Sequence, residues 1–335
     1  MTGVLSNVLL RAVPDHLLAN VATGRYQVYG SIVRSATSGR IVGHLQETSS
    51  FVSLLSSGSL AVPQAVFGAI NVVQNEQIKN AVAVVQSLQV ANLALSGLSV
   101  GVSIAGTAIL ARRIASVEKM VGSILPELAA VRREIEGLRS DRIAEDFTRL
   151  RTLADQIEEA WLPSATHGDW MTIARDAHFL ADSFERRARE VGEANQAIAS
   201  EPFIDAFLLA SGLRVTARLA LGQDDMARNA ATARTHTLIE LGAPLRLGRL
   251  ALEKISERRD AASPEWQEHL EQVASELSPV VAASRERELS VAASAETLEE
   301  LSRQKISGRD WLEASRADHI NPLLFLPVGE IEPDR

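Results

Sequence analysis

Only eight of the first 111 residues carry a charge, against 68 of the remaining 224, and the change falls at Arg112-Arg113. Thr48 to Asn75 and Asn80 to Ala111 contain no charged side chain, and only Glu76 and Lys79 separate them. Charged side chains keep a folded surface in water, so a stretch this long without them needs cover from protein or lipid. That requirement constrains the chain more than any motif in it.

A chain of 335 residues is long enough for more than one domain. Aromatic residues make up only 4%, and Ala, Leu, Val, Ser, Glu and Arg dominate, a mix that favours helices over a sandwich or barrel. The net charge of −8 divides unevenly, with residues 1 to 111 at +2 and residues 112 to 335 at −10. An acidic body argues against nucleic acid, which is bound by clustered Lys and Arg. The absence of cysteine excludes disulfides, thiolate metal sites and cysteine nucleophiles. Met1 to Leu18 lacks a basic n-region, and Pro14, Asp15 and His16 break its apolar residues. The chain is therefore expected in the cytoplasm, with membrane association as a second location.

The fold class expected is mainly α, organised in five stretches. Residues 1–50 form an N-terminal arm and a β-hairpin, with strand-rich runs at Arg25–Arg34 and Arg40–Gln46 around Ala36-Thr37-Ser38-Gly39. Residues 51–111 form an uncharged hydrophobic helical region, opened by Pro63. Residues 112–162 form a heptad-patterned helix. Its seam, Ile114, Val117, Val121, Ile124, Leu128, Val131, Ile135 and Leu138, is spaced 3 and 4 in strict alternation. The seam resumes one residue late at Ile143, and Pro126 marks a kink or break. Residues 163–320 read as an acidic helical bundle, with starts at Asp169, Glu201-Pro202, Asp224 and Ser263-Pro264, a bend at Gly242-Ala243-Pro244 and an interruption near Pro279. Residues 321–335, with three prolines, read as a flexible tail.

Val90 to Ala111 has the length of a bilayer-crossing helix, about 20 residues, but Asn92, Ser96, Ser99, Ser103 and Thr107 dilute its hydrophobicity. Leu95, Gly97, Val100, Gly101, Ile104 and Gly106 are its packing candidates, since Gly97 and Gly101 have the spacing that lets helices approach closely in lipid. Arg112 and Arg113 are placed to meet lipid headgroups. Three readings stand side by side: a buried helix of a bundle, a constitutive single span, and a segment that enters a membrane conditionally. A single span has to export a hairpin and about 80 residues with no signal peptide. If the chain instead reverses near Gly101, the result is a long helical hairpin with an apolar tip. In that architecture the stretch from Pro63 to Trp161 resembles α-helical pore-forming proteins, which hide an apolar tip in the monomer and expose it on assembly. The resemblance is one of pattern, without a motif match.

Catalytic motifs are absent: there is no Gly-x-Ser-x-Gly elbow, Walker loop, dinucleotide fingerprint or zinc-protease helix. His178 and Asp182, near His167, Asp169 and Asp176, have metal-ligand types at helical spacing, but a surface hydrogen bond explains them equally. Asp224-Asp225 lacks a third carboxylate because Arg228 stands in its place. Mixed-sign runs at Glu185–Glu190 and Arg285–Glu288 read as solvated faces. No catalytic residue, metal or cofactor is assigned. The leading expectation is a non-enzymatic, self-associating helical protein that docks or inserts its apolar segment into a membrane, as an effector or pore-forming protein does. The alternative is a soluble scaffold or adaptor whose uncharged helices are buried in a homo-oligomer or by an obligate protein partner.

Overall fold

A computed structural model of the chain describes residues 11–50, 107–131, 136–193, 197–256, 266–321 and 323–328. These residues are mainly α-helical, with one small antiparallel sheet. The sheet contains β1 (Arg11–Ala12), β2 (Tyr26–Tyr29), β3 (Ile32–Ser35), β4 (Ile41–Glu47) and β5 (Leu323–Pro327), in the order β1-β5-β4-β3-β2. Helix α1 (Asp15–Ala22) covers one face, where Leu17, Val33, Leu45 and Phe325 form a compact apolar cluster.

The first strand-rich run is itself a hairpin. Tyr29 pairs with Ile32 across Gly30-Ser31, and Gly30 has φ +56°, as a two-residue hairpin turn of the primed kind requires. The same glycine lets the turn approach the helical body, since a Cβ there would lie 2.8 Å from Ser290 Cα.

The expected flexible tail is corrected at its centre. Leu323-Leu324-Phe325-Leu326 is buried and pairs with β4 on one side and β1 on the other. Four consecutive apolar residues suit a strand covered on both faces, and the prolines at 322 and 327 only bound it. Gly43, diagonal to Phe325 on β4, is required by packing, because a Cβ there would meet the Phe325 ring at 2.3 Å.

The helical body contains α2 (Thr107–Val131), α3 (Glu136–Ala160), α4 (His167–Glu193), α5 (Glu201–Ala220), α6 (Asp224–Gly242), α7 (Leu247–Ser256), α8 (Trp266–Arg303) and α9 (Gly308–Ala317). The heptad series is divided between α2 and α3, which pack together as antiparallel neighbours and are tied by a Glu118–Arg151 ion pair. The division falls beyond Pro126, which α2 carries within its length, while the slip of register at Arg142 lies within α3. Thr166 and Asp169 begin α4 together: Thr166 N–H donates to Asp169 Oδ2 at 2.6 Å, so Asp169 acts inside the first turn, as in a capping box. Helix α8 continues through Pro279. That proline is exposed, so water can replace the helical bond its missing N–H removes.

Helix α5 is buried on nearly every side, which makes it the central rod of the body. Its Phe203 and Leu213 join Ile114, Phe147, Leu150 and Phe184 of the surrounding helices in one continuous core. The mixed-sign runs are not wholly solvated faces. Arg187 reaches Asp146 on α3 at 2.5 Å, and Arg287 reaches Glu201 and Asp205 on α5 at 2.6 and 2.8 Å.

Truncating Phe325 removes the ring that joins β5, β4 and α1. Phe325→Ala is expected to lower unfolding free energy by about 3 kcal/mol, read by urea denaturation of the full chain.

Candidate functional site

The uncharged segment leaves the described body after residue 50 and returns at residue 107, so the surroundings of those two points are the candidate site. The strand that leads out, β4, alternates its side chains between two environments. Leu45 enters the apolar cluster under α1, while His44 and Gln46 face α8 and α9. Ser31 Oγ and His44 Nδ1 lie 2.9 and 2.8 Å from Thr297 Oγ1, which itself donates to Ala293 O at 3.0 Å. With the hydroxyl proton on Ala293 O, both other contacts arrive at lone pairs of Thr297, so Ser31 and His44 Nδ1–H donate. Trp311 Nε1–H donates to Gln46 Oε1 at 2.8 Å.

The next two residues are fastened to the link between α9 and β5. Thr48 Oγ1 donates to Asn321 O, and Ser49 Oγ lies 3.0 Å from Arg316 O, 2.8 Å from Asp318 O and 2.9 Å from His319 Nδ1. Asp318 holds that link in shape by accepting from Ile320 N, Asn321 N and Asn321 Nδ2. Burial pushes its carboxyl up, but hydrogen bonds from Asn321 and Ile320 outweigh it and hold the group below the usual range.

At the returning end, Leu110, Ile114, Val117 and Val121 are buried in the main core, and Ile124 packs against it. These seam positions are thus covered by helices of the same chain. Leu128 and Val131 lie on α2 and Leu138 on α3, while Ile135 lies outside the described residues. Leu95, Gly97, Val100, Gly101, Ile104 and Gly106 also lie outside them. Arg112 is on the first turns of α2, and Arg113 beside it is half-buried.

Arg113 joins the two ends electrostatically. Burial pulls its guanidinium down, opposed by the charges of Asp205 and Glu47 and reinforced by Arg287. Glu47, the last residue of β4, is pushed up to about 7 by burial, opposed by Arg113. Next to them Arg287 bridges Glu201 and Asp205, and burial raises the Glu201 carboxyl against the pull of Arg287. The site is therefore a half-buried set of opposite charges contributed by β4, α2, α5 and α8.

Because β4 precedes the segment and β5 follows it, their pairing places both flanks on one side of any bilayer. A single crossing between residues 50 and 107 would separate two hydrogen-bonded strands, so it is incompatible with this fold.

Elsewhere, a cleft of about 510 Å³ is lined by Trp161, His167, Trp170, Arg309, Glu313 and Arg316. Trp161 and Trp170 meet edge to face, with ring centroids 5.0 Å apart, and Arg316 lies over the Trp161 ring. Arg309 is paired with Glu313 and Arg316 with Glu158, so the cleft offers balanced charge. His178 and Asp182 form an exposed surface pair at 3.5 Å. Among the described residues, no group of three His, Cys, Asp or Glu side chains is placed to hold a metal ion, and no helix is long and apolar enough to cross a membrane.

Sequence reasoning missed His44, Gln46, Thr297 and Trp311. A signal existed for the first two: both are polar residues in a strand whose alternate positions are also buried. No family model, curated protein or solved structure matches the chain.

Replacing Arg287 by Leu strands two carboxylates in a desolvated site. The expected cost is about 3 kcal/mol at pH 7, and it should shrink as the pH falls and the Glu201 carboxyl, raised by burial, takes up a proton. Urea denaturation of Arg287→Leu at pH 7 and pH 4 checks both parts.

Proposed function

We propose that this protein is a non-enzymatic membrane-docking protein, in which the helical body with its sheet is a mount and the near-uncharged segment is the part presented to lipid. The observation that carries this reading is the contrast between the two parts. Residues 51 to 106 contain only Glu76 and Lys79 as charged side chains, whereas the body around them is laced with interhelical ion pairs such as Arg189–Glu240 and Arg228–Glu299. A segment of that composition needs apolar cover.

The return of the chain to its own sheet supports an entry that comes back to the same side, in keeping with the hairpin form of the reading. Gly97 and Gly101 in sequence supply the small surfaces on which segments pack against each other in lipid. Self-association then belongs to the segment more than to the first half of the heptad seam, since Ile114, Val117 and Val121 are occupied inside the chain. A homo-oligomer or an obligate protein partner that covers the segment in water is the competing reading, and it makes the opposite prediction in lipid.

The test is dye release from, and co-sedimentation with, vesicles containing anionic lipid, using the full chain beside Gly101→Glu. The expected outcome is release by the parent and at least tenfold less by the variant, with unchanged far-ultraviolet dichroism and urea midpoint. A parent that ignores vesicles and sediments as a defined oligomer overturns the lipid reading in favour of the scaffold.

A further inference from the structure

We propose that His44 is a proton-sensitive latch between the N-terminal sheet and the helical body, and that its protonation loosens the sheet from α8 and α9. The inference concerns the docking of the sheet and stands whether or not the segment meets lipid.

All seven histidines lie among the described residues, and His44 is the only one that is buried, with 1% of its surface exposed. Its environment is built for a neutral ring. Nδ1–H donates to Thr297, whose remaining lone pair is taken by Ser31. The strand neighbours of His44 are Ile32 and Leu326, and α9 brings Trp311 to the same interface; none carries a charge. Two charged groups act on the ring, both from α8. Glu300 favours the charged form and Arg303 opposes it. Glu300 is already engaged, since one carboxylate oxygen accepts from Arg303 and the other from Gln304 Nε2 at 2.7 Å. Gln304 also donates to Pro327 O at 2.9 Å, so a Glu300 that turned to His44 would weaken the hold on β5. On its own strand, Glu47 lies on the opposite face.

A proton on Nε2 would therefore place an imidazolium in a buried interface whose one carboxylate acting on it, Glu300, is already held by Arg303 and Gln304. Burial accordingly pulls His44 down to about 4, against an ordinary value of 6.5, with Glu300 and Arg303 acting in opposite directions. The sign follows from linkage. A ring freed from the interface binds its proton near pH 6.5, while the docked ring stays neutral until near pH 4. Docking is thus strongest above pH 6.5, weakens as the pH falls, and has lost its His44 contribution below 4. The shift corresponds to roughly a hundredfold change or more in the docking equilibrium across that window.

Glu47 works in the other sense. Its carboxyl is raised to about 7, so its contribution is complete below 4.5 and is lost as the pH rises through 7. Between pH 4.5 and 6.5 the two dependences offset each other, and a profile of the whole chain understates the latch. The comparison that isolates His44 is with His44→Asn, which keeps a donor near the Nδ1 position and leaves Glu47 in place.

The experiment is amide hydrogen exchange of β3, β4 and β5 in the full chain and in His44→Asn, at pH 7, 6, 5 and 4. The ratio of the two at each pH cancels the intrinsic pH dependence of exchange. The expected result is a ratio that rises on the order of a hundredfold in favour of parent opening between pH 7 and 4, confined to the sheet. A ratio that stays flat overturns the latch. If His44→Asn does not fold, nitrogen-15 histidine spectra of the parent decide instead. A neutral Nδ1–H ring for His44 that persists below pH 5 supports the latch, and a His44 ring that titrates at its ordinary value of 6.5 refutes it.

Discussion

The pairing of β4 with β5 is the constraint on which the rest depends. It joins a strand ahead of the uncharged segment to one near the far end of the chain, and so closes the fold around everything between them. Closing so long a loop costs entropy only logarithmically in its length, and burial of Phe325 and Leu326 with the ladder of backbone bonds offsets that cost. Once closed, the sheet can rest on α8, and the segment becomes an excursion that begins and ends on one body. A membrane reading of this chain must therefore be a returning one.

The interface between sheet and body is polar where an apolar one would have been simpler to build. Ser31, His44, Gln46, Thr297 and Trp311 satisfy one another across it, and the Arg287 bridge to Glu201 and Asp205 fixes α8 against α5 nearby. Buried polar contacts add little net stability compared with well-packed apolar groups, but they are costly to break one partner at a time. Such an interface favours one register, and its buried His44 is the group through which the proposed latch would sense protonation.

Much of the helical body was legible from its residues. Apolar spacing and the acids and prolines at helix starts marked α4, α5 and α6, and the Gly242-Ala243-Pro244 bend separates α6 from α7 in the structure. The strand at 323–327 was not legible, because Leu-Leu-Phe-Leu between prolines has no alternation and only a partner strand makes it β. The division of the heptad series was not legible, because its 3 and 4 spacing runs on through Val131, Ile135 and Leu138 across the boundary. A seam of 3 and 4 spacing suits a helix packing on its own chain as well as one packing on a second copy.

Local pattern thus determined two things about this protein: that it is mainly helical, and that charge is nearly excluded from one long segment. Both follow from side-chain chemistry summed along the chain. Tertiary structure alone decided which charges are buried, which histidine is buried and which ends meet. Arg187 and Arg287 sit in runs that look like solvated faces, and His44 looks like any polar residue in a strand. Their roles come from Asp146, Glu201, Asp205 and Thr297, groups remote in sequence that only the folded chain brings within hydrogen-bond distance. Desolvation and pairing are properties of that three-dimensional neighbourhood, and no spacing along the chain encodes them.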